Sequence, residues 1–155
     1  MTKIDEIIDN EIIPKLQAIT VANGFTGDVS LLDGYLVHYV KDLMENVDGL
    51  GFPCVAIQPE DDRLILSPSN TKSKIEYNLK LIGAVSASHR SSIRAKLNDL
   101  LLDVRKALTI DKYVNISIAT EITLGSAVFA LPEKYEQYAY FETKITLKYV
   151  EHFTQ

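Results

Sequence analysis

The sequence predicts an α+β two-layer sandwich, a mainly antiparallel sheet of four to five strands covered on one face by two main helices. Three observations predict it. Two segments carry apolar residues at helical spacing, several later segments alternate apolar with polar residues, and the order runs helix, strands, helix, strands. With 155 residues the chain has the size of one domain and can bury a core without disulfides or metal. A single domain spanning residues 1–155 is therefore expected.

The first helix is predicted over residues 3–19. Ile4, Ile8, Ile12 and Leu16 recur every fourth position, with Ile7 and Ile19 beside them and Asp5, Glu6, Asp9, Asn10 and Glu11 opposite. Thr2 can cap it, and the early acids suit the positive end of its dipole. Pro14 removes a backbone donor, which predicts a kink or division near the last turn. Asn23-Gly24, Gly27 and Asp33-Gly34 then supply turn conformations around a short apolar piece at 25–31, a loop with room for one strand. Residues 35–47 combine the strand composition of Tyr35-Leu36-Val37-His38-Tyr39-Val40 with helical spacing of Leu36, Val40, Leu43 and Val47; a short helix is favoured. Five of the seven glycines fall between residues 24 and 51, so irregular backbone is concentrated there.

Phe52-Pro53-Cys54-Val55-Ala56-Ile57-Gln58-Pro59, an apolar run bounded by prolines, predicts a buried strand. Glu60-Asp61-Asp62-Arg63 reads as a charged tip, with Leu64-Ile65-Leu66 pairing back as a hairpin before a polar stretch at 67–73. Clean alternation over 74–85 places Ile75, Tyr77, Leu79, Leu81 and Val85 on one face and Glu76, Asn78 and Lys80 on the other. Ser91 or Ser92 opens the strongest helix, whose stripe is Ile93, Leu97, Leu100, Leu101, Val104 and Leu108. Arg94, Lys96, Asn98, Asp99, Arg105 and Lys106 form its polar face. Strand pattern returns at 114–120 and 121–129, is interrupted at Pro132-Glu133-Lys134, and closes with Phe141, Ile145, Leu147 and Tyr149 opposite Glu142, Lys144, Thr146 and Lys148. One face of an antiparallel sheet is thus buried and the other solvated.

Composition narrows the function. Hydrophobic residues at 46% and charged residues at 24% are ordinary globular usage. A formal charge of −5, without a clustered Lys/Arg footprint, argues against binding nucleic acid through its phosphates. Acids among the first residues do not suit a targeting peptide, and no stretch approaches a membrane span, so a soluble intracellular protein is expected. Cys54, the only cysteine, sits in an apolar run that predicts a buried, inert thiol.

No motif supplies chemistry. His38, His89 and His152 are scattered without a second ligand at metal spacing. Leu124-Gly125-Ser126-Ala127 lacks the second glycine of a nucleophile elbow, and no phosphate or dinucleotide loop occurs. Consecutive carboxylates at Glu60, Asp61 and Asp62 point in different directions and suit a solvated turn better than a cation site. No catalytic, cofactor or metal residue is assigned, and an enzyme is not expected. Four of the eight tyrosines, Tyr135, Tyr138, Tyr140 and Tyr149, lie near the C-terminus, a pointer to an interface.

Several segments, taken in order, carry a resemblance. They are the isoleucine-rich N-terminal helix, Asn23-Gly24-Phe25 with Asp28-Val29, the strand Phe52-Pro53-Cys54-Val55-Ala56-Ile57, and the helix end Leu101-Leu102-Asp103-Val104-Arg105-Lys106-Ala107-Leu108. The segment 121–132 and the closing strand to Tyr149-Val150-Glu151 complete them. In this order and spacing the chain resembles the tail terminator (tail completion) proteins of long-tailed bacteriophages. The resemblance implies a virion subunit at the tail–neck junction, assembled in the host cytoplasm. It would form a homohexameric ring that caps the tail tube, stops its polymerisation and joins it to the capsid neck or connector. Its implied partners are further copies of itself, the tail tube protein, the neck protein and a tail sheath, with DNA passing through the lumen unbound.

A ring requires two different surfaces on each copy. Candidate contact residues are Phe25 and Asp28 in the first loop, Glu60, Asp61, Asp62 and Arg63 in the charged run, and Tyr135 and Tyr138 near the end. Two alternatives stand beside this reading. One is a head-side neck adaptor or stopper; the other is a small enzyme or ligand-binding domain with a site assembled from dispersed residues such as Asp28, His38 and Glu121.

Overall fold

The computed structural model describes residues 2–33, 51–65, 72–86, 92–109, 121–131 and 138–152. Helical structure begins at α1 (Lys3–Ile7) and continues through a π-helical turn (Ile8–Ile12) into α2 (Ile13–Gln17). The Thr2 hydroxyl oxygen accepts from the Asp5 N–H at 3.2 Å, the expected cap. Pro14 accounts for the π turn. It has no N–H for the Asn10 carbonyl and its ring crowds that carbonyl, so the preceding turn widens and the Ile13 N–H reaches Ile8. The disturbance expected in the last turn therefore appears one turn earlier. It also rephases the apolar stripe: Ile7, Ile12, Leu16 and Ile19 are fully buried, while Ile4 and Ile8 are only partly covered.

A short 3-10 turn (Val21–Asn23) follows, capped by the Thr20 hydroxyl and closed by Gly24 at φ 89°, a left-handed conformation that favours glycine. Of the apolar piece at 25–31 only the end enters a strand, β1 (Ser30–Asp33). The next strand differs from expectation. β2 (Cys54–Ile65) runs through Pro59 and the whole charged run, so 60–63 is not a tip and Leu64-Ile65 continues the strand instead of folding back. Its hairpin partner is β3 (Lys72–Ser86). Strand position explains this. β1 pairs with β2 only from Cys54 to Ile57, and beyond that point β2 is an edge among the described residues. There a missing N–H and solvated charges are tolerated, and a bulge between Pro59 and Asp61 absorbs the change of register.

The strongest predicted helix is α3 (Ile93–Thr109), and all six residues of its predicted stripe are buried. The sheet is completed by β4 (Glu121–Ala130) and β5 (Tyr138–His152). Its order is β1-β2-β3-β5-β4, with β1 and β2 parallel and every other pair antiparallel. The fold is the α+β sandwich that the sequence predicts. Val55, Ile57, Leu79, Leu81, Phe141, Ile145 and Leu147 share the main core with α3 and the N-terminal helices. A smaller cluster of Cys54, Ala56, Ile82 and Ala84, flanked by Leu32, Phe52, Tyr138 and Tyr140, occupies the opposite face at one end.

The helix expected over 35–47, the strand over 114–120 and the interruption at 132–134 lie outside the described residues, as do His38, His89 and Tyr135. No helix among the described residues is long and apolar enough to cross a membrane.

Candidate functional site

Strand alternation puts Ile75, Tyr77 and Leu79 under the helices and turns Glu76, Asn78 and Lys80 to the outer face. Register then aligns charges across the sheet. Arg63 of β2 lies opposite Glu76 of β3, Glu76 opposite Lys148 of β5, and Lys148 opposite Glu121 of β4. The row reads plus, minus, plus, minus from one edge to the other. Lys148 Nζ is 3.7 Å from a Glu121 carboxylate oxygen, whereas the Arg63 guanidinium has no ion-pair partner among the described residues. The adjacent row is uncharged except at its end: Asn78 Nδ2 donates to Asp61 Oδ1 at 2.6 Å, and the Thr146 hydroxyl donates to Asn78 Oδ1 at 2.7 Å. Together these rows hold the register of the outer face.

Both edges expose apolar side chains. On and just beyond β4, Val128 is 70% exposed, Phe129 45% and Leu131 64%; on β2, Leu64 is 51% exposed. Proline and lysine, which commonly shield a sheet edge, are absent from β4, and Glu121 is its only charge. A register shift between Leu124 and Ala127 interrupts β4. There the Gly125 carbonyl accepts from Arg105 Nη2 at 3.4 Å and the Thr143 hydroxyl donates to the Ser126 carbonyl at 3.0 Å. A Cβ at Gly125 would meet the Lys144 carbonyl oxygen at 2.7 Å, which is why the bulge carries glycine.

The structure distributes the sequence-nominated contact residues between two ends of the molecule. Asp61 and Arg63 share the outer face of the free half of β2, Asp62 faces the helix side opposite Tyr77, and Glu60 sits at the bulge. Phe25 lies under Lys106, whose Nζ is 5.0 Å from the ring centroid. Asp28 accepts from the Val21 N–H at 2.7 Å and so closes its own loop. Tyr138 stacks on Phe52 with centroids 5.2 Å apart. Sequence reasoning missed the exposed apolar residues of β4, and it named Glu121 without placing it at an edge.

A cleft of about 250 Å³ opens where β2 begins and β3 ends. Phe52, Pro53, Val85 and Leu100 give it apolar walls, and Lys96, Asp99 and Asp103 line it with charge. Asp103 is already committed: it is buried, and it accepts from both the N–H and the hydroxyl of Thr26. Cys54 is buried against the sheet, and desolvation pushes its thiol up to about 12, far from a nucleophile at neutral pH. Among the described residues no three His, Cys, Asp or Glu side chains converge as metal ligands.

Neither protein-family models nor curated proteins give a match to this sequence. The functional reading therefore rests on the surfaces just described.

Proposed function

We propose that the chain is a structural virion subunit that caps a phage tail tube as a ring, ends tube polymerisation and offers its other face to the capsid neck. The observation that carries this reading is the sheet itself. Among the described residues it has one unpaired edge along residues 59–65 and another along β4, both with exposed apolar side chains, and the two edges differ in sequence. Two unlike adhesive edges on opposite sides of one subunit are what a head-to-tail ring needs. The acidic balance of −5 suits a ring through which DNA slides without being held.

Incubation with tubes of the cognate tail tube protein tests the reading. Electron microscopy is expected to reveal density at tube ends, and added tube subunits should no longer elongate them. Bare ends that keep growing would refute it. Density at the connector of filled capsids, with tubes untouched, would instead assign the chain to the head side of the neck.

The cleft beside Asp99 favours a second reading, a small-ligand domain. Calorimetric titration with cationic metabolites that gave saturable heats, lost in Asp99→Ala, would support that reading over the first.

A further inference from the structure

We propose that the outer face of the sheet docks an acidic surface of a partner protein, with Lys80 of β3 and Lys144 of β5 at the centre of the contact. The proposal names the chemistry of one partner in the ring reading, and rests on that reading for the assembly it serves; the contact itself is argued from the sheet.

Register brings the two lysines together. They are direct cross-strand partners, each at least six residues from either end of its strand. Both turn to the outer face, because their neighbours Leu79, Leu81 and Ile145 belong to the main core on the inner one. Side chains opposed in this way stand about 5 Å apart at Cβ, a distance at which like charges work against the pairing of the strands. Lysine on an edge strand discourages aggregation, but β3 and β5 are central, so that explanation fails here.

The neighbouring rows show what this one lacks. Arg63, Glu76, Lys148 and Glu121 alternate in sign, and Asp61 is held by Asn78 in the row between. Lys80 and Lys144 share their row with Gln58, which is uncharged. Glu142 stands one row further on, opposite Ile82, and makes no ion pair with either lysine. Among the described residues neither ammonium group has a hydrogen bond or an ion pair. Lys144 is exposed and Lys80 half-buried, so a partner can reach both.

Charge around the pair fixes the kind of partner. Along the outer face of β3 and β5, Lys72, Lys74, Lys80, Lys144 and Lys148 stand against Glu76 and Glu142, an excess of three cations in a chain that carries −5 overall. The complement to this face is therefore anionic. A nucleic acid repeats its phosphates without interruption and would meet Glu142 and Glu76 on either side of the lysine pair, whereas a folded protein can set its carboxylates over the lysines alone. A second copy is not the occupant, because in the ring reading copies meet at the sheet edges and the outer face is left over. One exposed ion pair adds little by itself. A ring presents the lysine pair once per copy, so weak contacts to a partner of matching symmetry act together.

Replacing the lysines tests the proposal. Lys80→Gln/Lys144→Gln is compared with wild type and with Arg94→Gln/Lys96→Gln, which removes the same charge from α3. Each protein, checked by circular dichroism for an unchanged fold, is titrated at low salt into a labelled oligoglutamate peptide and into a labelled DNA duplex of matched charge. Wild type is expected to bind the peptide more tightly than the duplex. The sheet variant should bind the peptide about tenfold more weakly, and the α3 variant within about twofold of wild type. Equal losses in the two variants, tighter binding of the duplex, or no binding of the peptide at millimolar concentration overturns the proposal. Self-association of the wild type that the sheet variant alone abolishes overturns it as well, by assigning this face to a second copy. The ring reading is judged separately, on the growth of tube ends: peptide binding with tubes that keep growing retains the contact and removes the ring.

Discussion

Gly83 of β3 and Phe141 of β5 are direct partners in the sheet, and the Phe141 ring occupies the space that a side chain at 83 would need. Leu100 of α3 closes over the same spot, 3.0 Å from where a Cβ would lie. Helix, ring and bare backbone therefore meet at one point in the core, and Phe141 is completely buried.

Gly83→Ala is expected to overpack this junction and destabilise the chain by about 1–3 kcal/mol. Phe141→Leu relieves the crowding, so the double variant should lose less than the sum of the two single changes. Urea unfolding of the four proteins measures the coupling; strict additivity would mean that residues 83 and 141 do not compete for space.

Asp103→Ala removes the acceptor for two donors of Thr26, and is expected to cost about 1–3 kcal/mol. Because this carboxylate ties the loop before β1 to α3, the loss should be accompanied by faster amide exchange at Thr26. Asp103→Asn keeps one acceptor oxygen and should fall between the two. Exchange at Thr26 that does not change on removing the carboxylate would show the loop to be held by Phe25 and Lys106 instead.

Glu11 makes stability fall with rising pH. Its side chain is buried beside the π turn, both carboxylate oxygens lack a hydrogen-bond partner among the described residues, and desolvation raises its pKa despite the opposing pull of Lys15. Between the lower unfolded-state value and the raised folded-state value the folded chain keeps a proton that the unfolded chain has released. Stability is therefore lost as pH climbs through that window, and no penalty remains below it. Glu11→Met should raise stability at neutral pH by about 1–3 kcal/mol and flatten the dependence. Thermal melts across the acidic range measure it; parallel curves for the two proteins would refute the assignment.

Legibility in the sequence followed the strength of local periodicity. α3, β3 and β5 each carry a buried face along fifteen or more residues, and the side chains of that face could be named one by one. β2 was legible only to Pro59. A proline followed by four charges has the composition of a turn, and what keeps it extended is its pairing with β3, which local composition does not reveal. The π turn escaped for a related reason: Pro14 signals a disturbance, but which way the helix yields depends on packing against the sheet. Of the candidate site, Arg63 could be read from its charged run. Its relation to Glu121 could not, because that relation passes through three strand registers.

Cys54 makes the rest of the molecule easier to interrogate. With 1% of its surface exposed and its ionisation held near 12, the native sulfur is silent toward maleimides and spin labels at neutral pH. A cysteine placed at either sheet margin would then be labelled alone in an otherwise native background, so fluorescence transfer or electron resonance could test directly whether copies come together and at what spacing.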